Sequence, residues 1–249
     1  MEGAEDPIIF LILTLCPNIK FFDFCDEHDH GLDFGNLVKY GMADTKRKLP
    51  VLSNLKYVDL DWEYSYTNSL DAVAFFAGTM PSVVSIKVHG LPLSIDVPIL
   101  DDQSPRSSNL KDLSFECSEM NTKDLNQVLQ GIHALRSFRY IYIGDRSFDL
   151  SLLLVAIPEP IKDSLESLIL STGNHKGINV GRLQEFKVLK HLKVDFSFYF
   201  KWRSPPETVV FDLPSSIESI TICDILETDD DDLEALVLDI LRAKAKRFP

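Results

Sequence analysis

The sequence predicts an α/β protein built as one stack of about eight irregular repeats, with a curved parallel β-sheet inside and helices or irregular segments outside. Three observations lead there. An apolar triplet, spaced apolar-x-x-apolar-x-apolar, returns at intervals averaging about 28 residues. A charged residue follows the first member of the triplet in seven of eight copies, against a 25% charged background. Asn or Ser precedes it in six of the eight. The triplet alone would be weak in a chain that is 45% apolar, so the two flanking columns make the repeat.

The triplets, in order, are Ile19/Phe22/Phe24, Leu55/Val58/Leu60, Val83/Ile86/Val88 and Leu110/Leu113/Phe115. Then come Leu135/Phe138/Tyr140, Leu165/Leu168/Leu170, Leu189/Leu192/Val194 and Ile217/Ile220/Ile222. The last two members stand two apart, so a strand sends both inward and its intervening residues outward. Strands are therefore expected near 19–24, 55–60, 83–88, 110–115, 135–140, 165–170, 189–194 and 217–222. The charged column holds Lys20, Lys56, Lys111, Arg136, Glu166, Lys190 and Glu218, with Val84 the exception. The Asn/Ser column suits the turn into each strand, where a short polar side chain can bond local backbone groups. One such unit cannot bury its own apolar face, but stacked units share a core, which makes 1–249 a single domain.

Between strands, helical spacing appears in Leu70, Val73, Ala74 and Ala77 after Asn68, and in Leu125, Val128, Leu129 and Ile132 with Asn121 or Thr122 as N-cap. Leu150 to Ile157 is a short apolar segment that Pro158 stops. Gly31 to Leu52 is expected to be helical in part, and 91–108 to be loop. At the C-terminus Leu233, Leu236, Val237, Ile240 and Leu241 share one helical face, with Asp229 to Asp232 before it and basic residues after it. Those charges match the helix dipole, so 229–247 reads as a capping helix. The N-terminal Ile8 to Leu15 segment has no cap before it, so an upstream portion or a partner is expected to cover it.

These features predict a leucine-rich-repeat solenoid, horseshoe-like in form. Leu15-Cys16-Pro17-Asn18-Ile19-Lys20, Leu52-Ser53-Asn54-Leu55-Lys56 and Ser164-Leu165-Glu166-Ser167-Leu168-Ile169-Leu170 resemble the leucine-rich-repeat region of fungal F-box proteins. The resemblance implies the substrate-recognition part of an SCF-type ubiquitin ligase, and a ligase adaptor as partner if an F-box segment lies upstream; none is seen within the chain. The Asn or Cys usual three residues past such strands is replaced by Glu27, Glu63, Leu91, Ser118, Ile143, Gly173, Ser197 and Ile225, so irregular stitching is expected.

With 25 Lys plus Arg against 38 Asp plus Glu, the net charge of −13 disfavours nucleic acid and anionic membrane and favours a basic protein partner. Four scattered cysteines read as reduced thiols, and no targeting signal is seen, so cytoplasm or nucleus is expected. Asp26-Glu27-His28-Asp29-His30 could ligate metal but reads as a solvated loop. Asp229 to Asp232 lacks the glycine and terminal glutamate of a calcium loop. No nucleophile elbow, phosphate loop or zincin helix is present, so no enzyme activity, cofactor or metal is expected.

The expected binding residues lie on the outward strand positions and the loops just after them. Asp23, Asp59 and Asp61 are followed by Trp62, Tyr64 and Tyr66, and the face then turns basic at Lys87, Arg139 and Lys193. Aromatic rings beside charge are the usual composition of a protein-binding hot spot. A second aromatic group, Phe196, Phe198, Tyr199, Phe200 and Trp202, is dense enough in Phe to read as buried packing.

Overall fold

The structure, a computed structural model, describes residues 16, 18–25, 53–61, 69–90, 108–118, 120, 122–142, 150–171, 183–195, 213–223 and 238. Eight five-residue strands form one open sheet in sequence order: β1 (Phe21–Cys25), β2 (Tyr57–Asp61), β3 (Ser85–His89), β4 (Asp112–Glu116), β5 (Ser137–Ile141), β6 (Ser167–Ser171), β7 (His191–Asp195) and β8 (Ser219–Cys223). Every adjacent pair is parallel. The register is the one the repeat implies: Phe22, Val58, Ile86, Leu113, Phe138, Leu168, Leu192 and Ile220 line up across the sheet, and the third triplet members line up two residues on. Period two places both rows on the same face.

That face is the core. From Leu55 to Leu192 the triplet residues are buried and Val194 is partly buried; at the ends Ile19, Phe22, Phe24, Ile217, Ile220 and Ile222 are only partly buried, as terminal strands with one neighbour must be. Each fully buried Leu, Ile or Phe contributes about 2 kcal/mol of apolar transfer, which drives the stacking. Edge-to-face contacts of Phe115 with Phe138 and Tyr140 fill the centre.

The described helices pack on this face. Helix α1 (Ser69–Thr79) buries Leu70, Ala72, Val73, Ala74, Phe76 and Ala77, and its alanines let it lie close. Helix α2 (Thr122–Leu129) buries Leu125, Val128 and Leu129 and keeps Lys123 in water. Helix α3 (Leu150–Ala156) lies beside α2. The Asn126 side chain on α2 donates to the Ala156 carbonyl at 2.7 Å, satisfying one orphan acceptor at the α3 end.

Three expectations change. Ile132 is not on helix α2, which stops at Leu129; it forms a parallel bridge with Ser108, inside the 91–108 stretch expected to be loop. Pro158 ends α3 but also opens a further short helix, α4 (Glu159–Lys162), because its fixed φ of −64° and ψ of 150° suit a helix start and Pro160 fits the first turn. The Asn/Ser column does more than shape local turns. Asn109 donates to the Pro81 carbonyl at 2.8 Å, Ser164 to Leu135 at 2.9 Å and Ser216 to Leu189 at 2.8 Å, each one repeat back.

The charged column has a backbone role as well. The Lys20 carbonyl accepts from the amides of Lys56 and Tyr57, Lys56 from Val84 and Ser85, and the doubling continues through Lys190, which accepts from Glu218 and Ser219. Stitching therefore runs along the strand entrances, and past the strand ends the amides of Gly90, Ser118 and Tyr142 donate to the Glu116, Ile141 and Ser171 carbonyls of the next strand. At the exits, Gly90 (φ 76°) and Cys117 (φ 52°) turn the chain after β3 and β4 through the left-handed region. Ser118, one of the eight replaced positions, donates locally to the Glu116 carbonyl at 2.9 Å. The Gly31 to Leu52 segment and residues 91–107 lie outside the described residues, as does the expected capping helix at 229–247 apart from Leu238, which is helical and exposed.

Candidate protein-binding face

The opposite face of the sheet carries the outward residues in three rows. Nearest the strand entrances run Phe21, Tyr57, Ser85, Asp112, Ser137, Ser167, His191 and Ser219. The middle row reads Asp23, Asp59, Lys87, Ser114, Arg139, Ile169, Lys193 and Thr221. Cys25, Asp61, His89, Glu116 and Ile141 follow in the third. Almost all are half-buried or exposed, while their inward neighbours are buried; Asp195 is the buried exception.

Strand spacing of about 4.8 Å brings charges on successive strands into contact. Lys87 Nζ lies 4.0 Å from Asp59 Oδ2 and 3.6 Å from Glu116 Oε2, and Arg139 Nε lies 3.2 Å from Glu116 Oε1. His89 Nδ1 meets Asp61 Oδ1 at 3.1 Å. Five of the nine sequence-derived residues, Asp23, Asp59, Lys87, Arg139 and Lys193, thus share the middle row, and Asp61 sits one row on. The face does not turn basic at Lys87 and Arg139. Glu116 sits between them and, together with Asp59 beside Lys87, balances their charge, leaving Lys193 as the cation of the three with no ion pair among the described residues. Glu116 was legible, since it occupies on β4 the position that Asp61 holds on β2.

Burial raises the Asp59 carboxyl above its ordinary value, Lys87 opposes, and Asp23, Asp61 and Glu116 push it up further. Around β1 and β2 the described residues hold Asp23, Asp59 and Asp61 against Lys20 and Lys56, a surplus of one negative charge. The Cys117 thiol, just past Glu116, is raised first by burial and then by Glu116 and Asp61, which disfavours the thiolate a nucleophile needs.

All four cysteines are free. Among the described residues no group of three His, Cys, Asp or Glu could hold a metal ion, and no helix is long and apolar enough to cross a membrane. Trp62, Tyr64 and Tyr66, the Asp26 to His30 loop, and Phe196, Phe198, Tyr199, Phe200 and Trp202 lie outside the described residues. No family model matches the chain, and neither a curated protein nor a solved structure matches it.

Proposed function

We propose that the chain is a leucine-rich-repeat solenoid whose open sheet face binds another protein without catalysing a reaction. One observation carries this. Parallel sheets almost always have both faces covered, yet here the described helices pack on one face and the other presents charged, partly exposed side chains on successive strands. A broad surface of rigidly spaced strands suits a protein partner better than a small molecule, which needs a concave pocket.

The F-box resemblance makes this module the substrate-recognition part of an SCF-type ubiquitin ligase, acting in the cytoplasm or nucleus. The acid surplus on β1 and β2, with the net charge of −13, favours a second reading: a free-standing regulator or inhibitor that holds a basic protein.

Cross-linking of the tagged full chain to its partner in cells tests the face. Cross-links from Lys87 and Lys193, on the open side, are expected; cross-links confined to Lys123 and Lys187 on the helical side would overturn it. Co-purification of ligase adaptor and cullin selects the first reading, and a salt-sensitive one-to-one complex with a basic protein selects the second.

A further inference from the structure

We infer that the first two strands form a seat for an arginine- or lysine-bearing segment of the partner protein, made by the neighbouring rings of Phe21 and Tyr57 and the neighbouring carboxylates of Asp23 and Asp59. This rests on the open-face reading above and narrows it to one corner and one partner chemistry.

The row nearest the strand entrances shows why the rings stand out. On the six later strands that position holds Ser85, Asp112, Ser137, Ser167, His191 and Ser219, every one polar. On β1 and β2 it holds Phe21 and Tyr57, adjacent in register and 55% and 50% exposed. These outward rings leave about half of their surface in water. Two of them side by side are a surface built for contact.

Charge decides what makes that contact. Two residues on, about 6.6 Å along each strand, stand Asp23 and Asp59. Asp61 and Glu116 add further negative charge, and Lys87 is the cation that faces Asp59. A wholly apolar segment laid over the rings would strip water from these carboxylates with no compensation. An acidic or phosphorylated segment would be repelled. A guanidinium or ammonium can lie over a ring face and donate its N–H groups to the carboxylates beside it, satisfying both halves of the corner.

The test titrates the full chain with a fluorescein-labelled (Gly-Arg)4 peptide, read by fluorescence anisotropy, with a norleucine-for-arginine peptide as control. The arginine peptide is expected to bind and the norleucine peptide not. Phe21→Ser and Tyr57→Ser copy the small polar residue of other repeats, and each is expected to weaken binding roughly two- to fivefold. Asp23→Asn and Asp59→Asn, each made alone, should weaken it more, whereas Glu218→Gln, which removes the same unit charge beside β8, should leave it nearly unchanged. Equal losses at Glu218 and at either aspartate would mean attraction to net charge alone and would overturn the seat, as would indifference to both ring substitutions. Independently of any variant, amide chemical-shift changes on adding the peptide should concentrate in β1 and β2; changes centred on β7 and β8 or on the helices refute it. If the seat fails while cross-links still map to the open side, the broader binding reading stands and only this corner is lost.

Discussion

The Ser164 hydroxyl donates to the Leu135 carbonyl at 2.9 Å, so the residue that turns the chain into one strand also grips the entrance of the strand before it. Ser216 repeats this with Leu189 at 2.8 Å, and Asn109 does the same with Pro81 at 2.8 Å. Replacing any one with Ala is expected to cost about 0.5–1.5 kcal/mol in urea denaturation. The three lie two or more strands apart, about 10 Å or more, so the triple variant should lose close to the sum. A triple loss well below that sum would show that the bonds do not act independently between repeats.

Tyr140 makes a different kind of tie. Its ring is fully buried in the core, while its hydroxyl donates to the Ser118 carbonyl at 2.9 Å and accepts from the Met120 amide at 3.3 Å. Removing that oxygen takes one buried hydrogen bond from each backbone group. Tyr140→Phe is therefore expected to lose about 1–3 kcal/mol, although it deletes no apolar surface. Amide exchange at Met120 should rise more than exchange within β5, which keeps its ladder bonds on both sides.

Among the described residues Lys162 is the buried cation of the helical side. Its ammonium bonds Glu159 at 2.9 Å and also Glu185 in the following repeat. Burial alone would lower its pKa, but the bonds to Glu185 and then Glu159 prevail and lift it above the ordinary 10.5. A raised amine holds its proton more tightly when folded than when unfolded. Its stabilisation is thus complete below about pH 10 and fades as pH rises through the folded value. Lys162→Ala is expected to cost about 2 kcal/mol near pH 7, below the usual loss for a broken buried pair because both carboxylates still reach water. Lys162→Met, which keeps the apolar stem, should cost less, and its deficit against the parent chain should shrink on titration above pH 10.5.

The strand positions were readable from the sequence because one rule, inward-outward alternation, acts on every repeat alike. Spacings of 36 to 24 residues between triplets did not obscure it, since ladder bonding aligns strands whatever length of chain joins them. Helix limits were less legible. Ile132 keeps helical spacing with Leu129 but is drawn out of the helix by its bridge to Ser108, a tertiary partner that no local window contains. The chemistry of the face was half legible. Reading Lys87 and Arg139 along the chain gives two cations, while reading across the sheet gives two ion pairs, because Glu116 lies next to them only in register. Opposite charges on neighbouring strands cancel in a way that a count along the sequence does not show.

Asp59 connects this electrostatics to stability. Burial and its three carboxylate neighbours raise its pKa above 3.8, with Lys87 alone opposing. The folded chain then binds the proton more tightly than the unfolded chain, so ionised Asp59 works against folding, and stability falls as pH rises from about 3.8 through the folded value. Asp59→Asn should therefore stabilise the protein near pH 7, by a few tenths to about 1 kcal/mol given its partial exposure. Lys87 loses little in that variant, because Glu116 remains 3.6 Å away. Below pH 3.8, where the native carboxyl is itself protonated, the gain should disappear. Thermal denaturation of both chains across pH 3 to 8 measures this directly, and a variant less stable than its parent at pH 7 would show that the Lys87 pair outweighs the crowding of carboxylates.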